Sequence, residues 1–427
     1  MERLEINGFL TIKEARLDVK RFTILIGPQA NGKSVVAKVL YFFRDFLAKQ
    51  FVQSVRNQDT KPQLTRQALA SFEQVFPRYA WSDEDFSLTY SSEDAEIVLS
   101  RHGRASGAAK LKFDYSQNLS QARTKAKSHY KHRLEELVSK EPRRRDIEVY
   151  WEVLRECIYD EPIGRSFHQS VFIPASRSFF ANLQKNVFSF LANNIAIDPL
   201  MKEFGSLYES SKLFYERERS SSSKSRGQEK AALRDEIAQE IEKILVGRYV
   251  YEDDQDWIVT ARRRVNLTNA SSGQQEALPL LIVLLSWVYR SGRLPRPVTF
   301  FIEEPEAHLF PVSQRLLVGI FSRLYRVCEY DFLLTTHSPY VLTALNNLIM
   351  ASNLVEHNGR ELEQRVKKII GTDEMIKFED VRAYTIRNGV LESILDSKNS
   401  LIGSSVIDSV SDEFDTVFDK LVQLAPN

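Results

Sequence analysis

The chain has 427 residues, of which 43% are hydrophobic and 27% are charged, as in an ordinary soluble globular protein. A formal net charge of +1 excludes a global electrostatic attraction to nucleic acid or to a membrane surface. The two cysteines form no metal or redox motif, the first ten residues do not resemble a signal peptide, and the longest apolar run, 277–289, is too short to span a bilayer. We therefore expect a cytoplasmic protein of two or three lobes without a membrane partner.

The first part of the chain predicts three strands, at 2–6, 10–17 and 22–26, and then an apolar helix that continues to about Val55. Between the third strand and the helix lies a loop that fits G-x-x-x-x-G-K-[ST], and this context makes the pattern a phosphate-binding loop. Its glycines permit backbone conformations that other residues avoid, so that N–H groups at the helix N-terminus can converge on phosphates. We expect ATP to be bound by the whole loop: Gly27, Pro28, Gln29, Ala30, Asn31, Gly32, Lys33 and Ser34.

Two side chains of the loop have distinct predicted roles. Lys33 is expected to reach the β- and γ-phosphates, and the Ser34 hydroxyl to ligate Mg²⁺. The alternative is a chance match on a glycine turn, which the flanking strand and helix disfavour.

The next segment alternates apolar and polar residues at 86–90, 95–99 and 110–115, which predicts an antiparallel sheet with one wet face. From 117 to about 161 the chain is expected to be helical, and residues 101–145 hold 13 Lys and Arg against 4 Asp and Glu. This basic segment is either a solvated helical face or a patch that binds nucleic acid or an acidic partner, and both alternatives remain open.

A strand at 171–175 is followed by helical sequence to about residue 219, a serine run at 220–223, and a further helix at 228–245. This pattern predicts a helical hairpin inserted into the chain. We expect four units: an N-terminal lobe (1–116), a helical insertion interrupted by the strand (117–246), a C-terminal lobe (247–350) and a C-terminal extension (351–427).

Three further motifs follow in the second half. Residues 269–276, Asn-Ala-Ser-Ser-Gly-Gln-Gln-Glu, precede an apolar helix; the apolar strand 298–302 leads into Glu-Glu-Pro-Glu; and the strand 332–335 leads into Thr-His-Ser. Each alone has a structural explanation, namely a helix cap, a solvated turn and a packed histidine.

Together with the phosphate loop, the order and spacing of these motifs resemble the ABC-type ATPase head. In such heads two copies bind ATP face to face, and the signature of one copy closes over the nucleotide in the loop of the other. The resemblance covers about residues 1–50 and 265–345 well. It implies an α/β fold with a mixed P-loop sheet and helices, an antiparallel β lobe and an inserted helical region, with ATP and Mg²⁺ as cofactors.

The resemblance also implies roles for single residues. Glu303, where the family usually has Asp, would hold the Mg²⁺ shell with Ser34; Glu304 would polarise or deprotonate the attacking water; and His337 would contact the γ-phosphate. The signature departs from the usual L-S-G-G-Q, but its retained residues would face the partner's nucleotide: Ser271, Gly273 and Gln274. The Mg²⁺-sensing glutamine is not placed, Gln169 being one weak candidate.

Residues 304–311, Glu-Pro-Glu-Ala-His-Leu-Phe-Pro, resemble a block of the OLD and RecF-like branch of these ATPases, as do residues 173–177. The roughly 80 residues after Thr343 contain no Asp-x-Asp, so a Toprim nuclease is not expected. Their aspartates, such as Asp396 and Asp408, are predicted to lie on a turn and on an amphipathic final helix. The resemblance therefore implies a stand-alone ATPase, similar to the ATPase subunits of the Septu and PARIS antiphage systems.

Three functions follow as alternatives. The first is a sensor or scaffold whose nucleotide-driven head dimerisation controls a separate effector, such as a nuclease, in antiphage defence. The second is a RecF-like repair or recombination ATPase that grips DNA with the basic segment 101–145. The third, a scaffold that rarely hydrolyses ATP, is disfavoured because Lys33, Glu304 and His337 are all present.

Overall fold

The computed structural model describes residues 2–81, 84–102, 111–138, 145–181, 197–220, 228–290, 298–358, 360–371 and 374–403. Several predicted features lie outside these ranges: most of the serine run (221–223), the final helix with Asp408, and part of the basic segment, including 103–110 and 139–144.

The described residues form sixteen strands and eleven α-helices. The strands are β1 (Glu2–Phe9), β2 (Ile12–Val19), β3 (Phe22–Ile26), β4 (Phe86–Ser92), β5 (Ala95–Arg101), β6 (Leu111–Tyr115), β7 (Gln169–Ile173), β8 (Arg248–Glu252), β9 (Gln255–Val259), β10 (Arg264–Asn266), β11 (Val298–Glu303), β12 (Asp331–Thr336), β13 (Val381–Arg387), β14 (Val390–Ser393), β15 (Leu395–Asp396) and β16 (Leu401–Ile402). The helices are α1 (Lys33–Asp45), α2 (Val52–Arg56), α3 (Lys61–Val75), α4 (Gln117–Val138), α5 (Arg145–Leu154), α6 (Pro199–Ser220), α7 (Gln228–Leu245), α8 (Ser272–Arg290), α9 (Pro311–Val327), α10 (Pro339–Asn358) and α11 (Arg360–Ile370). None of the described helices is long and apolar enough to cross a membrane.

Eleven of these strands form one mixed sheet, in the order β6-β5-β4-β1-β2-β14-β13-β3-β12-β11-β7. The five strands from β13 to β7 are mutually parallel, and the five from β6 to β2 are antiparallel. The two halves meet at β14, where the carbonyl of Gly389 accepts hydrogen bonds from the N–H groups of Lys13 and Glu14. The predicted mixed sheet with helices and an antiparallel lobe is therefore confirmed.

Helices cover both faces of the parallel half, and this explains why strands such as β3 and β11 are largely apolar. On one face, Leu25 of β3 and Phe301 of β11 share a core with α1. On the other face, Ile24 and Phe300 from the same two strands share a second core with α8, α9 and α10. All five residues of β3 and all six of β11 are buried, so neither strand offers room for a charge before its end.

The helical insertion is divided between the two faces of the sheet. Its first helices, α4 and α5, bury residues such as Leu119 and Tyr150 in the core shared with the antiparallel lobe. Its later helices, α6 and α7, bury Phe204 and Ile237 in the opposite core and pack against α8. The helix that carries the signature motif is therefore supported directly by the insertion.

The segment set apart as a C-terminal extension, 351–427, supplies strands to the middle of the sheet. Strand β13 pairs with β3 in parallel from Val381, opposite Phe22, to Thr385, opposite Ile26. Strand β14 then joins β13 to the antiparallel lobe. The strand that carries the phosphate loop thus has a neighbour from near the opposite end of the printed sequence.

A buried ion pair fixes α1 to the sheet. The Nε of Arg44 donates to the Glu2 carboxylate at 2.6 Å, and the Arg44 side chain is buried. Burial alone would raise the pKa of Glu2, but the charge and hydrogen bonds of Arg44 outweigh it and lower that pKa to about 2. The pair therefore favours the ionised carboxylate in the folded state.

We expect Glu2→Gln to lower the free energy of unfolding by about 3–5 kcal/mol, because it leaves the buried guanidinium without its counter-charge. The contribution of Glu2 is present above its unfolded pKa of about 4.3 and is lost as the pH falls towards 2, so only the wild type should lose it in that window. Urea denaturation between pH 2 and 7 measures both effects. The control is Glu5→Gln on the same strand, whose exposed pair with Arg16 should contribute less than about 1 kcal/mol; equal losses for the two variants would contradict the prediction.

Candidate functional site

Three of the predicted motifs, the phosphate loop, the acidic pair and the histidine, meet where adjacent parallel strands end. Ile26, the last residue of β3, pairs with Thr336 of β12, and Glu303 of β11 pairs with Thr335. The phosphate loop, the acidic pair and His337 therefore leave the sheet at the same edge.

The loop after β3 is held in an unusual backbone conformation. Gly27, Ala30 and Gly32 have φ of +147°, +61° and +91°, in the region that favours glycine. A Cβ on Gly32 would lie 2.5 Å from Ile12 Cδ1, so a larger residue would displace that side chain in addition to straining the backbone. The Asn31 amide donates to the carbonyl of Ile386 at 3.2 Å, which ties the loop to β13.

The ammonium group of Lys33 lies within this loop. It donates to the carbonyl of Gly27 at 2.7 Å and to that of Pro28, and it lies 3.3 Å from Nδ1 of His337. Burial lowers the pKa of Lys33 to about 8, although the negative charges of Glu304 and Glu306 oppose the shift. The cation that phosphates require is thus in place, and it titrates close to physiological pH.

His337 connects the loop to the second acidic residue. Its Nδ1 lies 2.9 Å from the Gly27 carbonyl oxygen, and its Nε2 lies 2.9 Å from Oε1 of Glu304. Glu304 has a φ of +44°, a strained value for a residue with a side chain. Its side chain is 38% exposed, whereas that of Glu303, one residue earlier, is buried. The kink at the end of the strand thus leaves the Glu304 carboxylate open to water.

Glu303 has a buried oxygen without a partner among the described residues. Its Oε2 accepts from the backbone N–H of Ala175 at 3.3 Å, and its Oε1 has no hydrogen bond. Such an oxygen is costly unless something binds it, and carboxylate and hydroxyl oxygens are the ligands that Mg²⁺ prefers. Glu303 and the exposed Ser34 hydroxyl therefore fit Mg²⁺ held jointly with phosphate oxygens. No cluster of three or more His, Cys, Asp or Glu in the described part of the chain could hold a metal by itself.

The signature motif forms the helix cap that its sequence also allows. The N–H of Gln274 donates to Ser271 Oγ at 3.4 Å, and the Gln274 side chain accepts from the N–H of Ser271 at 3.1 Å. Gln274 also donates to the carbonyl of Leu245 at 2.6 Å. A Cβ on Gly273 would lie 2.6 Å from the carbonyl oxygen of His308, so the glycine permits close packing against the loop after β11. Ser271 itself is exposed.

Residues that sequence reasoning did not single out support these groups from behind. Glu306 accepts from the Thr336 hydroxyl at 2.6 Å and from the N–H of His337 at 2.8 Å, and so fixes the backbone of the histidine. Arg177, fully buried, donates to the carbonyls of both Glu303 and Glu304. Both residues lie inside the blocks that suggested the family resemblance, but only their contacts reveal what they hold.

The structure places Gln169 away from the site. It pairs with Val298 at the start of β7 and β11, whereas the site lies at the far ends of these strands. The residue whose N–H reaches the Glu303 carboxylate is Ala175, in the turn after β7. Gln169 is therefore wrong as the candidate for a Mg²⁺-sensing residue.

A strand–loop–helix with a buried lysine, beside one strand that ends in two acidic residues and another that ends before a histidine, is the arrangement of a P-loop nucleotide-binding protein. Residues 22–343 match the family described as "AAA domain, putative AbiEii toxin, Type IV TA system", and the chain belongs to this family. Membership of an ATPase family implies nucleotide binding.

Other comparisons give distant similarities. No curated protein matches the chain in sequence. The SMC head domain from Thermotoga maritima is 11% identical with a TM-score of 0.34, covering 92% of this chain and 97% of that one. An SMC head bound to the C-winged helix domain of ScpA is 12% identical with a TM-score of 0.38, covering 92% and 96%. The recombination mediator RecF with ATPγS is 8% identical with a TM-score of 0.31, covering 92% and 97%.

The lowered pKa of Lys33 predicts a pH-dependent affinity for ATP. Phosphates favour the protonated amine, so the affinity should be constant well below pH 8 and should fall as the pH rises through 8, by up to roughly tenfold per unit. Titration with a fluorescent ATP analogue between pH 6.5 and 9.5 measures this dependence. The control, Lys33→Ala, should bind weakly at every pH, and a flat wild-type profile would contradict the assignment.

Proposed function

We propose that the protein hydrolyses ATP with Mg²⁺ and that ATP closes two heads into a dimer. The observation that carries the proposal is the chain of contacts from Lys33 and Gly27 through His337 to Glu304, all at one edge of the sheet. Through these contacts a single histidine lies between a phosphate-binding cation and a carboxylate that is open to water.

The residues of this chain divide the chemistry between them. Lys33 and the N–H groups at the start of α1 hold the terminal phosphates, and Glu304 orients a water molecule and accepts its proton. His337, fixed through its backbone by Glu306, holds the Glu304 carboxylate towards the phosphate loop. Ser34 and Glu303 would hold Mg²⁺, which supplies neutralisation of the charge on the phosphate oxygens.

Two features support closure by a second copy. Ser271 and Ser272, at the N-terminus of α8, are exposed, so this end of the helix is accessible to the phosphates bound by another head. Large apolar side chains that follow the strands of the site are also exposed to solvent: Phe310 is 75% exposed, Val312 59% and Tyr340 55%. Exposed apolar groups beside a functional edge are typical of an interface.

We further propose that closure controls a separate effector, such as a nuclease, in antiphage defence. The family description refers to a toxin of a toxin–antitoxin system, which agrees with a role in defence or growth control. Because α6 and α7 pack against α8, a partner bound to the insertion would experience any movement of the signature.

Direct binding of DNA by the basic segment, as in a RecF-like ATPase, is the alternative. Within the described part of this segment, Lys125 pairs with Glu161 at 2.9 Å, Arg133 pairs with Glu156 at 2.8 Å, and Lys127 donates to the carbonyl of Asp59. These contacts favour the solvated, ion-paired face. A strongly salt-dependent affinity for duplex DNA would restore the alternative.

Two substitutions test the ATPase proposal. Lys33→Ala should weaken ATP binding at least tenfold, and Glu304→Gln should bind ATP normally while hydrolysis falls by about 10²–10⁴-fold. With ATP, Glu304→Gln should have the mass of a stable dimer in light scattering, because the ATP that holds the dimer closed is no longer hydrolysed. The control is Glu379→Gln, at an exposed surface position. If Glu304→Gln remains monomeric with saturating ATP, head closure is wrong.

Gly273→Ala tests the signature. The added methyl group must displace the start of α8 from the His308 carbonyl, without touching the phosphate loop. We expect ATP affinity within about twofold of wild type and hydrolysis reduced roughly tenfold to a hundredfold. The neighbouring exposed Ser272→Ala is the matched control and should hydrolyse ATP normally. Unchanged hydrolysis in Gly273→Ala would remove the signature from the mechanism.

A further inference from the structure

Arg177 is a fully buried arginine whose donors reach two parts of the site. Its Nη1 donates to the carbonyl of Glu303 at 2.7 Å, and its Nη2 donates to the carbonyl of Glu304 at 2.9 Å. A further bond from Nη1 to the carbonyl of Pro174, also 2.9 Å, closes its own turn after β7. The guanidinium thus holds the strained backbone at the end of β11.

The remaining donors of Arg177 reach the signature helix. Its Nε donates to the backbone carbonyl of Glu276 in α8 at 2.9 Å. The buried Glu276 carboxylate accepts in return from the N–H groups of Arg177 at 2.8 Å and of Ser178 at 3.1 Å. One side chain therefore joins the turn after β7, the end of β11 and the first turns of α8.

The buried ion pair of Arg177 and Glu276 fixes the relative positions of its elements more than it stabilises the fold. Desolvation offsets most of the attraction in a buried ion pair, and an apolar replacement is often as stable. A guanidinium, however, is a planar fork whose donors have fixed relative directions. A shift of α8 therefore cannot leave the bonds to β11 unchanged.

We propose that Arg177 is a positioning residue that couples the two nucleotide sites of the head dimer through each chain. When α8 closes on the partner's nucleotide, Glu276 moves with the helix. Arg177, which is bonded to Glu276, then shifts the backbone of Glu304 in its own site. A head then reaches its hydrolytic geometry only when its signature is engaged. This inference rests on the proposed head dimer, and it adds that hydrolysis is cooperative in ATP.

The test uses full-length Arg177→Lys, which keeps the charge but loses the fork, and Glu276→Gln, which keeps the volume but loses the charge. We expect each to bind ATP within about twofold of wild type, with kcat reduced by about tenfold to a hundredfold and the Hill coefficient for ATP lowered to about 1. The double variant should be no slower than the slower single variant, because both break one connection.

A second buried arginine provides the control. Arg123 in α4 donates to Ser54 Oγ at 2.8 Å and to the carbonyl of Asp59, in the core beside the antiparallel lobe. Arg123→Lys should lower the melting temperature without changing kcat or the Hill coefficient. If Arg177→Lys and Glu276→Gln behave in the same way, Arg177 is structural and the coupling is overturned.

Introducing both substitutions into Glu304→Gln separates the two levels of failure. Only the coupling fails if two results are found together. The first is that Glu304→Gln and its Arg177→Lys derivative dimerise equally well with ATP; the second is that the single variants Arg177→Lys and Glu276→Gln hydrolyse ATP normally and cooperatively. If Glu304→Gln itself does not dimerise, the proposed function fails and the coupling falls with it. Should Arg177→Lys not fold, Glu276→Gln decides alone by the same readouts.

Discussion

The site depends on the burial of the central parallel strands, of which β3 and β11 are buried at every residue. With helices on both faces, strands such as β3 and β11 cannot hold a charge along their length, since an unpaired charge in that core would cost several kcal/mol. In these two strands a charged side chain can therefore appear only at the end. Because the strands are parallel and in register, Lys33, Glu304 and His337 follow them at the same edge. Concentration of charge at this edge is a consequence of burial.

A second layer turns this proximity into geometry, and it works largely through the backbone. Glu306 holds the N–H of His337, Arg177 holds the carbonyls of Glu303 and Glu304, and Asn31 holds the carbonyl of Ile386. None of these contacts involves the side chains of Lys33, Glu304 or His337. The side chains of the site thus act from a backbone that these polar groups hold in place.

The parts of the fold and site that the sequence predicts are those with a local signal. The glycine loop sits between an apolar strand and an apolar helix, and Glu303 and Glu304 interrupt a run of five apolar or β-branched residues. Strand β13 is not predicted from the sequence, because Arg382 and Thr385 break its apolar pattern and its partner β3 is distant in sequence. The sequence suggests Gln169 by residue type alone, because strand register is not visible in it. The role of Arg177 is not predicted, because a single buried charge leaves no periodic pattern in the sequence. The signature serves equally as a helix cap, so its residues do not distinguish the two roles.

The position of β13 also bears on how the protein is made. The bond from Asn31 to Ile386 spans 355 residues, which a ribosome adding roughly 5–20 residues per second needs about 20–70 s to produce. Until then the nascent chain has a complete nucleotide-loop sequence but lacks the strand beside it, and one long edge of β3 is unpaired. Such edges invite pairing with other chains, so this interval is when chaperone protection matters most.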